Sequence, residues 1–302
     1  MDKYLALDFG GSGLKSAVIS EDFKIEKYER FDPPLESIDK FINICHMIVK
    51  KNGNIKGLAI SLPGRIDDRS GYVYSAGMYK KIYNVNLIIE LQEKIDLPIS
   101  IINDANAAIT AEIALGSLKN VKNGATMVIG TGIGVATIIN DEIVKGFNYN
   151  AGEVSLLLTN DDISLNSRNL FSAKGSMYSI LYKYAVSNGI KPEDISGIEF
   201  FQKVESNDEI AKELLNTMIN TISVQIYNMQ TLLDLEVVSI GGGVSANKKF
   251  IELLENRIDE IFAKELFSSI KKPIIKSCKF GNDSNLLGAV VHHVNKYKKR
   301  IC

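Results

Sequence analysis

The chain has 302 residues, of which 45% are hydrophobic and 24% charged, with a formal net charge of −1. This length is generous for one domain and comfortable for two, and the balanced charge excludes a global basic field that would recruit nucleic acid or an anionic membrane. Cys45, Cys278 and Cys302 are too far apart for a zinc spacing or a disulfide framework, and no apolar run reaches the ~18 residues of a membrane span, so the expectation is a cytoplasmic protein with no membrane or nucleic-acid partner.

Residues 3–8 read as a strand and 14–19 as its hairpin partner, with glycines between them, and a third strand is expected near 23–30. Ile38, Phe41, Ile42, Ile44, Cys45 and Ile48 recur at helical spacing up to Gly53. A strand over 55–64 runs into a Pro-Gly turn, and a helix is expected over 85–98. A short buried strand (99–104) then leads to a helix of strong formers (105–116) ended by Gly116. The second half repeats this grammar. Residues 124–140 read as strand, glycine turn and strand, followed by helices near 173–188 and 206–233. A strand over 235–243 ends in glycines, and helices follow over 247–266 and near 284–299. This is an α/β pattern. The likeness of 3–19 to 125–139 is the nearest thing to an internal repeat, and the chain is expected to cross between two lobes more than once.

Three loops share one chemistry: "DFGGSG" (8–13), "GTGIG" (130–134) and "IGGG" (240–243). Each follows an apolar run. Glycine lets backbone approach a ligand closely, and successive N–H groups in such turns make an anion site. One such loop alone could be a tight turn and nothing more. Three suggest a nucleotide whose phosphates are held by two hairpins and whose adenosine lies against the third loop. Neither the P-loop pattern nor the dinucleotide fingerprint is present.

Asp8 at the edge of the first loop could hold Mg²⁺ directly or through water, or could simply start a turn. Asp104, after Asn103 in "IIND", could be a helix N-cap. It is equally placed to take a proton from a substrate hydroxyl, as phosphoryl transfer requires, and Asn103 suits the fixing of sugar hydroxyls. Lys15 reads as pointing outward into solvent, and His292 and His293 as packing or surface residues. Tyr72, Tyr74, Tyr79 and Tyr83 fit either a sugar-lining or an ordinary packing role.

These motifs, with "ISLPGRID", "AGEVS", "VSIGGGVSAN" and "LLGAVV", run in the order of one family. The chain resembles the ROK family of repressors, open reading frames and ATP-dependent sugar kinases over nearly its whole length. The resemblance implies a two-lobed α/β fold of the actin-like ATPase (RNase H-like) type with a central cleft. The first lobe would span 1–104 and the second 105–284, with a C-terminal helix at about 285–302 packing back on the first. It implies that Gly10, Gly11 and Ser12 contact phosphate, with Gly130, Thr131 and Gly132 as the second phosphate loop. Gly241, Gly242 and Gly243 would border the adenosine. Asp104 would be the catalytic base, and Gly64, Asn103, Asp104 and Glu153 would contact the sugar.

The chain departs from the family at two points. Ser155 and Leu156 stand where many members have Gly and a sugar-binding His, and 157–175 lacks the cysteines of a zinc loop, so no zinc is expected. The stretch is similar to the zinc-less branch that includes β-glucoside kinases. The expected activity is therefore transfer of the ATP γ-phosphate, with Mg²⁺, to a hexose or hexose-glycoside hydroxyl on carbon 6, by a homodimer. A β-glucoside or glucose is the favoured substrate, and Leu156 would offer an apolar wall tolerant of a carbon-1 substituent. The alternatives are an N-acetylmannosamine or fructose kinase and a non-catalytic sugar-binding or regulatory protein. Family repressors carry a helix-turn-helix ahead of the kinase-like part, and with the first loop starting at Asp8 none is expected here.

Overall fold

The computed structural model describes residues 1–11, 13–162, 166–264 and 269–298. The chain forms two compact α/β units, one of Met1–Asn120, Ile143–Ala151 and Asp283–Cys302, the other of Val121–Glu142 and Gly152–Asn282. It passes between them at Asn120, Glu142, Ala151 and Asn282.

In the first unit, β1 (Lys3–Gly10), β2 (Gly13–Ser20) and β3 (Ile25–Phe31) form an antiparallel meander. Helix α1 (Ile38–Asn52) follows, its first turn capped by Ser37, whose side chain accepts from the Lys40 amide. Strand β4 (Leu58–Leu62) then pairs parallel with β1. Three two-residue strands, β5 (Ile66–Asp67), β6 (Tyr72–Val73) and β7 (Val85–Asn86), make a small sheet of their own. Helix α2 (Leu87–Gln92), strand β8 (Ile99–Asn103) and helix α3 (Asp104–Leu115) complete this run. The sheet order is β3-β2-β1-β4-β8. Strand β4 is buried along its whole length, as expected of a parallel strand covered on both faces.

The second unit repeats the order. Strands β9 (Gly124–Ile129), β10 (Ile133–Ile139) and β11 (Glu142–Ile143) are followed by four helices, α4 (Phe171–Gly175), α5 (Met177–Asn188), α6 (Gly197–Glu205) and α7 (Glu209–Leu233). Strand β12 (Val237–Gly241), helix α8 (Lys248–Phe262) and strand β13 (Ile274–Ser277) close the unit, with sheet order β11-β10-β9-β12-β13. Each unit has its own apolar core, around Phe9, Phe41 and Ile60 in the first and around Met127, Phe171 and Phe250 in the second.

The last helix, α9 (Ser284–Tyr297), lies against α3 and the first sheet. The expected boundary after Asp104 falls inside this contact. Gly288 permits it, because a β-carbon there would collide with the Ala107 carbonyl.

Several elements differ from expectation. The helix expected over 85–98 shrinks to α2, because Val85 and Asn86 join β6 and the Asn86 side chain then caps α2 on the Ile89 amide. The helix expected near 206–233 starts at Glu209 behind an Asp208 cap, and α6 precedes it with a capping box of Ser196 and Glu199. The helix expected near 173–188 breaks at Ser176, which caps α5. Among the described residues, no helix is long and apolar enough to cross a membrane.

Candidate functional site

In the first unit, the β1–β2 register places Gly10 opposite Gly13 and therefore Asp8 opposite Lys15. Directly opposed residues share a face of the sheet, so the two side chains meet. Lys15 Nζ lies 3.1 Å from Asp8 Oδ2, and its side chain is only 20% exposed. Lys15 is thus paired with Asp8 rather than solvated. Asp8 is 1% exposed. Its Oδ1 accepts from Ser61 Oγ at 3.0 Å, which the parallel β1–β4 register sets beside it, and from Asn285 Nδ2 of α9 at 3.1 Å. The glycine loop is further braced by the buried Tyr79, whose hydroxyl donates to the Gly10 carbonyl at 3.1 Å. Tyr79 packs edge-on to Phe9 and Phe41, which settles its packing role, while Tyr83 is exposed. Gly11 is exposed at the loop tip, and Ser12 lies outside the described residues.

The second cluster of the first unit sits at the ends of β4 and β8. Asn103 is the N-cap of α3, and its Oδ1 accepts from the Asn106 amide at 3.1 Å. Its Nδ2 donates to the Gly64 carbonyl at 2.9 Å, tying the Pro-Gly turn to the helix start. The cap is therefore Asn103, one residue before the alternative weighed for Asp104. Asp104 opens the first turn of α3, half-buried, with Oδ1 accepting from the Ala105 amide at 2.8 Å. A carboxylate in the first turn is favoured by the helix dipole.

In the second unit, Gly130, Thr131 and Gly132 form the turn of the β9–β10 hairpin, closed by a Gly130 amide donating to the Gly132 carbonyl at 2.9 Å. Thr131 and Gly132 are exposed. Among the described residues, a β-carbon on Gly130 would meet nothing within 4 Å, and one on Gly132 would meet only Ser155 Oγ at 3.3 Å. The backbone here is bare and open to a close-approaching anion. Ser155 is a residue that sequence reasoning missed. Its hydroxyl accepts from the Ile133 amide at 2.9 Å and donates to the Ile133 carbonyl at 2.8 Å, fixing the hairpin just past Gly132. Glu153 is exposed yet partly desolvated, and that burial raises its carboxyl above the ordinary value. Leu156, two residues beyond Val154 in a short 3₁₀ turn, is 64% exposed.

Gly241 ends β12 opposite Val128 of β9. Gly242 has φ of 82°, and a β-carbon there would strike the Ile129 carbonyl, so only glycine fits this approach. Gly243 begins a 3₁₀ turn, with nothing among the described residues within 4 Å of a notional β-carbon. The second-unit residues thus gather at the carboxyl ends of β9 and β12, and the first-unit residues at the carboxyl ends of β1, β4 and β8.

On α9, His293 is buried and His292 half-buried. His293 shares a hydrogen bond with Ser100 Oγ at 2.9 Å, and burial lowers both rings to about 4. Beside His292, Lys145 grips both oxygens of Asp68 at 2.7 and 2.6 Å. Among the described residues, no group of three or more His, Cys, Asp or Glu could hold a metal ion.

The ROK family model matches residues 4–294, and the chain belongs to the ROK family. It has the two-lobed actin-like ATPase fold of that family. A β-glucoside kinase of Listeria monocytogenes is 27% identical over 295 residues, covering 97% of this chain and 98% of the relative. An N-acetylmannosamine kinase of Haemophilus influenzae is 26% identical over 290 residues, covering 94% and 93%. A ROK family protein of Streptococcus pneumoniae, solved in complex with sucrose, superposes with a TM-score of 0.86 at 25% identity, covering 98% of this chain and 99% of that one.

Proposed function

We propose that this protein is an ATP-dependent sugar kinase that transfers the γ-phosphoryl group to the carbon-6 hydroxyl of a β-glucoside or glucose. Gly10 and Gly11 of the first unit and Gly130, Thr131 and Gly132 of the second are assigned to the phosphates, and Gly241, Gly242 and Gly243 to the adenosine. Gly64, Asn103, Asp104 and Glu153 are assigned to the sugar, with Asp104 taking the proton of the attacking hydroxyl. The observation that carries this assignment is the division of labour at the start of α3. Asn103 supplies the cap, so the Asp104 carboxylate is not needed for it. Asn103 keeps its amide nitrogen on Gly64, so its larger part is to hold the Pro-Gly turn in place, with one N–H left for a sugar hydroxyl.

Mg²⁺ is the metal proposed to accompany ATP. Asp8 suits a metal reached through its water shell, because its own oxygens already accept from Ser61, Asn285 and Lys15. When bound, such an ion neutralises phosphate charge. Lys15 adds a fixed positive charge at the same loop. Leu156 offers no hydrogen bond, so discrimination by a free anomeric hydroxyl should be weak on its side. We take the active species to be a cytoplasmic homodimer without a zinc site.

A coupled ADP-release assay against glucose, a β-glucoside, N-acetylmannosamine and fructose tests the activity. Asp104→Asn should lower turnover by ~10²–10⁴ while leaving ATP affinity in place. Normal turnover in that variant would remove Asp104 as the base. No ADP release with any sugar would favour the non-catalytic alternative.

A further inference from the structure

Beyond Gly64, the chain builds a feature that the catalytic assignments leave unexplained. Arg65 follows Gly64 directly, its amide donating to the Ser75 carbonyl at 3.0 Å and its carbonyl accepting from the Tyr74 amide at 2.9 Å. The guanidinium lies 4.5 Å from the centre of the Tyr74 ring. Tyr74 stacks in turn on Tyr149, with centroids 6.0 Å apart and planes 24° apart, and meets Tyr72 edge-on at 4.9 Å. Tyr149 comes from the segment Ile143–Ala151 that belongs to the first unit. That segment is pinned at both ends of its run, by Lys145 on Asp68 and by the Tyr149 hydroxyl on Asp67.

Two features of this cluster are hard to explain as packing alone. Arg65 Nε is buried with no hydrogen-bond partner among the described residues, and a buried donor without an acceptor is costly. Tyr149 has φ of 57°, a left-handed backbone that a bulky side chain rarely adopts. Such local strain gathers where surroundings hold a side chain for a ligand. The rings of Tyr72, Tyr74 and Tyr149 are only half-buried.

Resting on the sugar-kinase reading above, we propose that Arg65, Tyr74 and Tyr149 form a subsite for the second pyranose ring of a β-linked disaccharide whose first ring is the phosphoryl acceptor. The position fits, since Gly64 is the residue before Arg65 and is tied to the neighbour of Asp104. The chemistry fits as well. Aromatic faces stack on the apolar faces of sugar rings, and a guanidinium supplies several donors to ring hydroxyls.

Calorimetry with the purified protein compares cellobiose with methyl β-glucoside, which lacks the second ring. The wild type should bind cellobiose at least about tenfold more tightly. Tyr149→Asn keeps a residue that tolerates the left-handed backbone while removing the ring. That variant, Tyr74→Ala and Arg65→Gln should each shrink the ratio of the two dissociation constants by roughly 3–10-fold, the range for losing one ring contact or hydrogen bond. An unchanged ratio in all three variants overturns the subsite, as does a wild type that binds the two ligands equally or fails to bind cellobiose. Tighter binding of phenyl β-glucoside than of cellobiose also overturns it, pointing to an apolar aglycone. ADP release is read separately. If the binding ratio behaves as expected but no sugar is phosphorylated, the kinase reading fails and the subsite stands.

Discussion

Replacing Lys15 by methionine removes the only charge that the β1–β2 register sets directly opposite Asp8. At 3.1 Å, and with the effective dielectric of ~20 that suits such sites, the attraction lost is about 5 kcal/mol before solvation is counted. Removing one partner of a buried pair typically costs about 3–5 kcal/mol, since the other charge stays behind desolvated. The Asp8 side chain is 2% exposed but that of Lys15 is 20% exposed, so part of the lysine's charge is already screened by water. We therefore expect the lower end, about 3 kcal/mol. For a unit of this size that is a fall of roughly 6–12 °C in the melting temperature. Scanning calorimetry suits the measurement, because two units can give two transitions and only the one containing Asp8 should move. Adding Asp8→Asn in the Lys15→Met background should recover about half of the loss, since the asparagine oxygen can still accept from Ser61 and Asn285. A loss below about 1 kcal/mol, or a double variant less stable than the single one, would refute the buried-pair account.

Two further outcomes are expected. Gly132→Val adds a side chain where, among the described residues, the one near neighbour of a β-carbon is Ser155 Oγ, so the variant should fold with little change in melting temperature yet bind ATP at least about tenfold more weakly by calorimetry; unchanged affinity would reject the phosphate-loop role. The His293 ring titrates near 6.5 in the unfolded chain but near 4 in the buried site, so the unfolded state binds more protons between those values. Stability is then complete above pH 6.5 and is lost as the pH falls through 4, by up to about 3 kcal/mol from this ring, and His292 acts in the same direction. In His293→Leu the fall in melting temperature from pH 6.5 to 4.5 should be clearly shallower, and an unchanged slope would mean that the ring is not buried uncharged.

The strand-and-loop frame of both units was legible in the chain because its signals are local: apolar runs ended by glycines, and caps such as Ser37 and Asp208. The family match was legible for the same reason, since its motifs are short and come in order. The Asp8–Lys15 pair could also have been found. The β1–β2 register pairs Gly10 with Gly13, and that register alone puts the two residues face to face. What escaped were contacts distant in sequence. Nothing near Asp8 announces Asn285, nothing in α3 announces Gly288, and the stack of Arg65, Tyr74 and Tyr149 joins two stretches about 80 residues apart. The cap on α3 was a matter of one residue, and sequence preference does not separate Asn from Asp at that position. Strand β13 was missed because it is a short edge strand, half polar, in a lysine-rich stretch.

The placement of α9 orders events during synthesis. Asn285, which donates to the Asp8 carboxylate, is made 277 residues after it. The whole of the second unit precedes Asp283 in the chain, so none of its own contacts waits on α9. In the first unit β1, β4, β8 and α3 all precede α9, so the face that α9 covers cannot be buried until that helix is made. Closing so long a loop slows the final step more than it weakens the product. The face of β1, β4 and α3 that α9 covers is thus buried late, and Asp8 gains its Asn285 partner only when that helix docks.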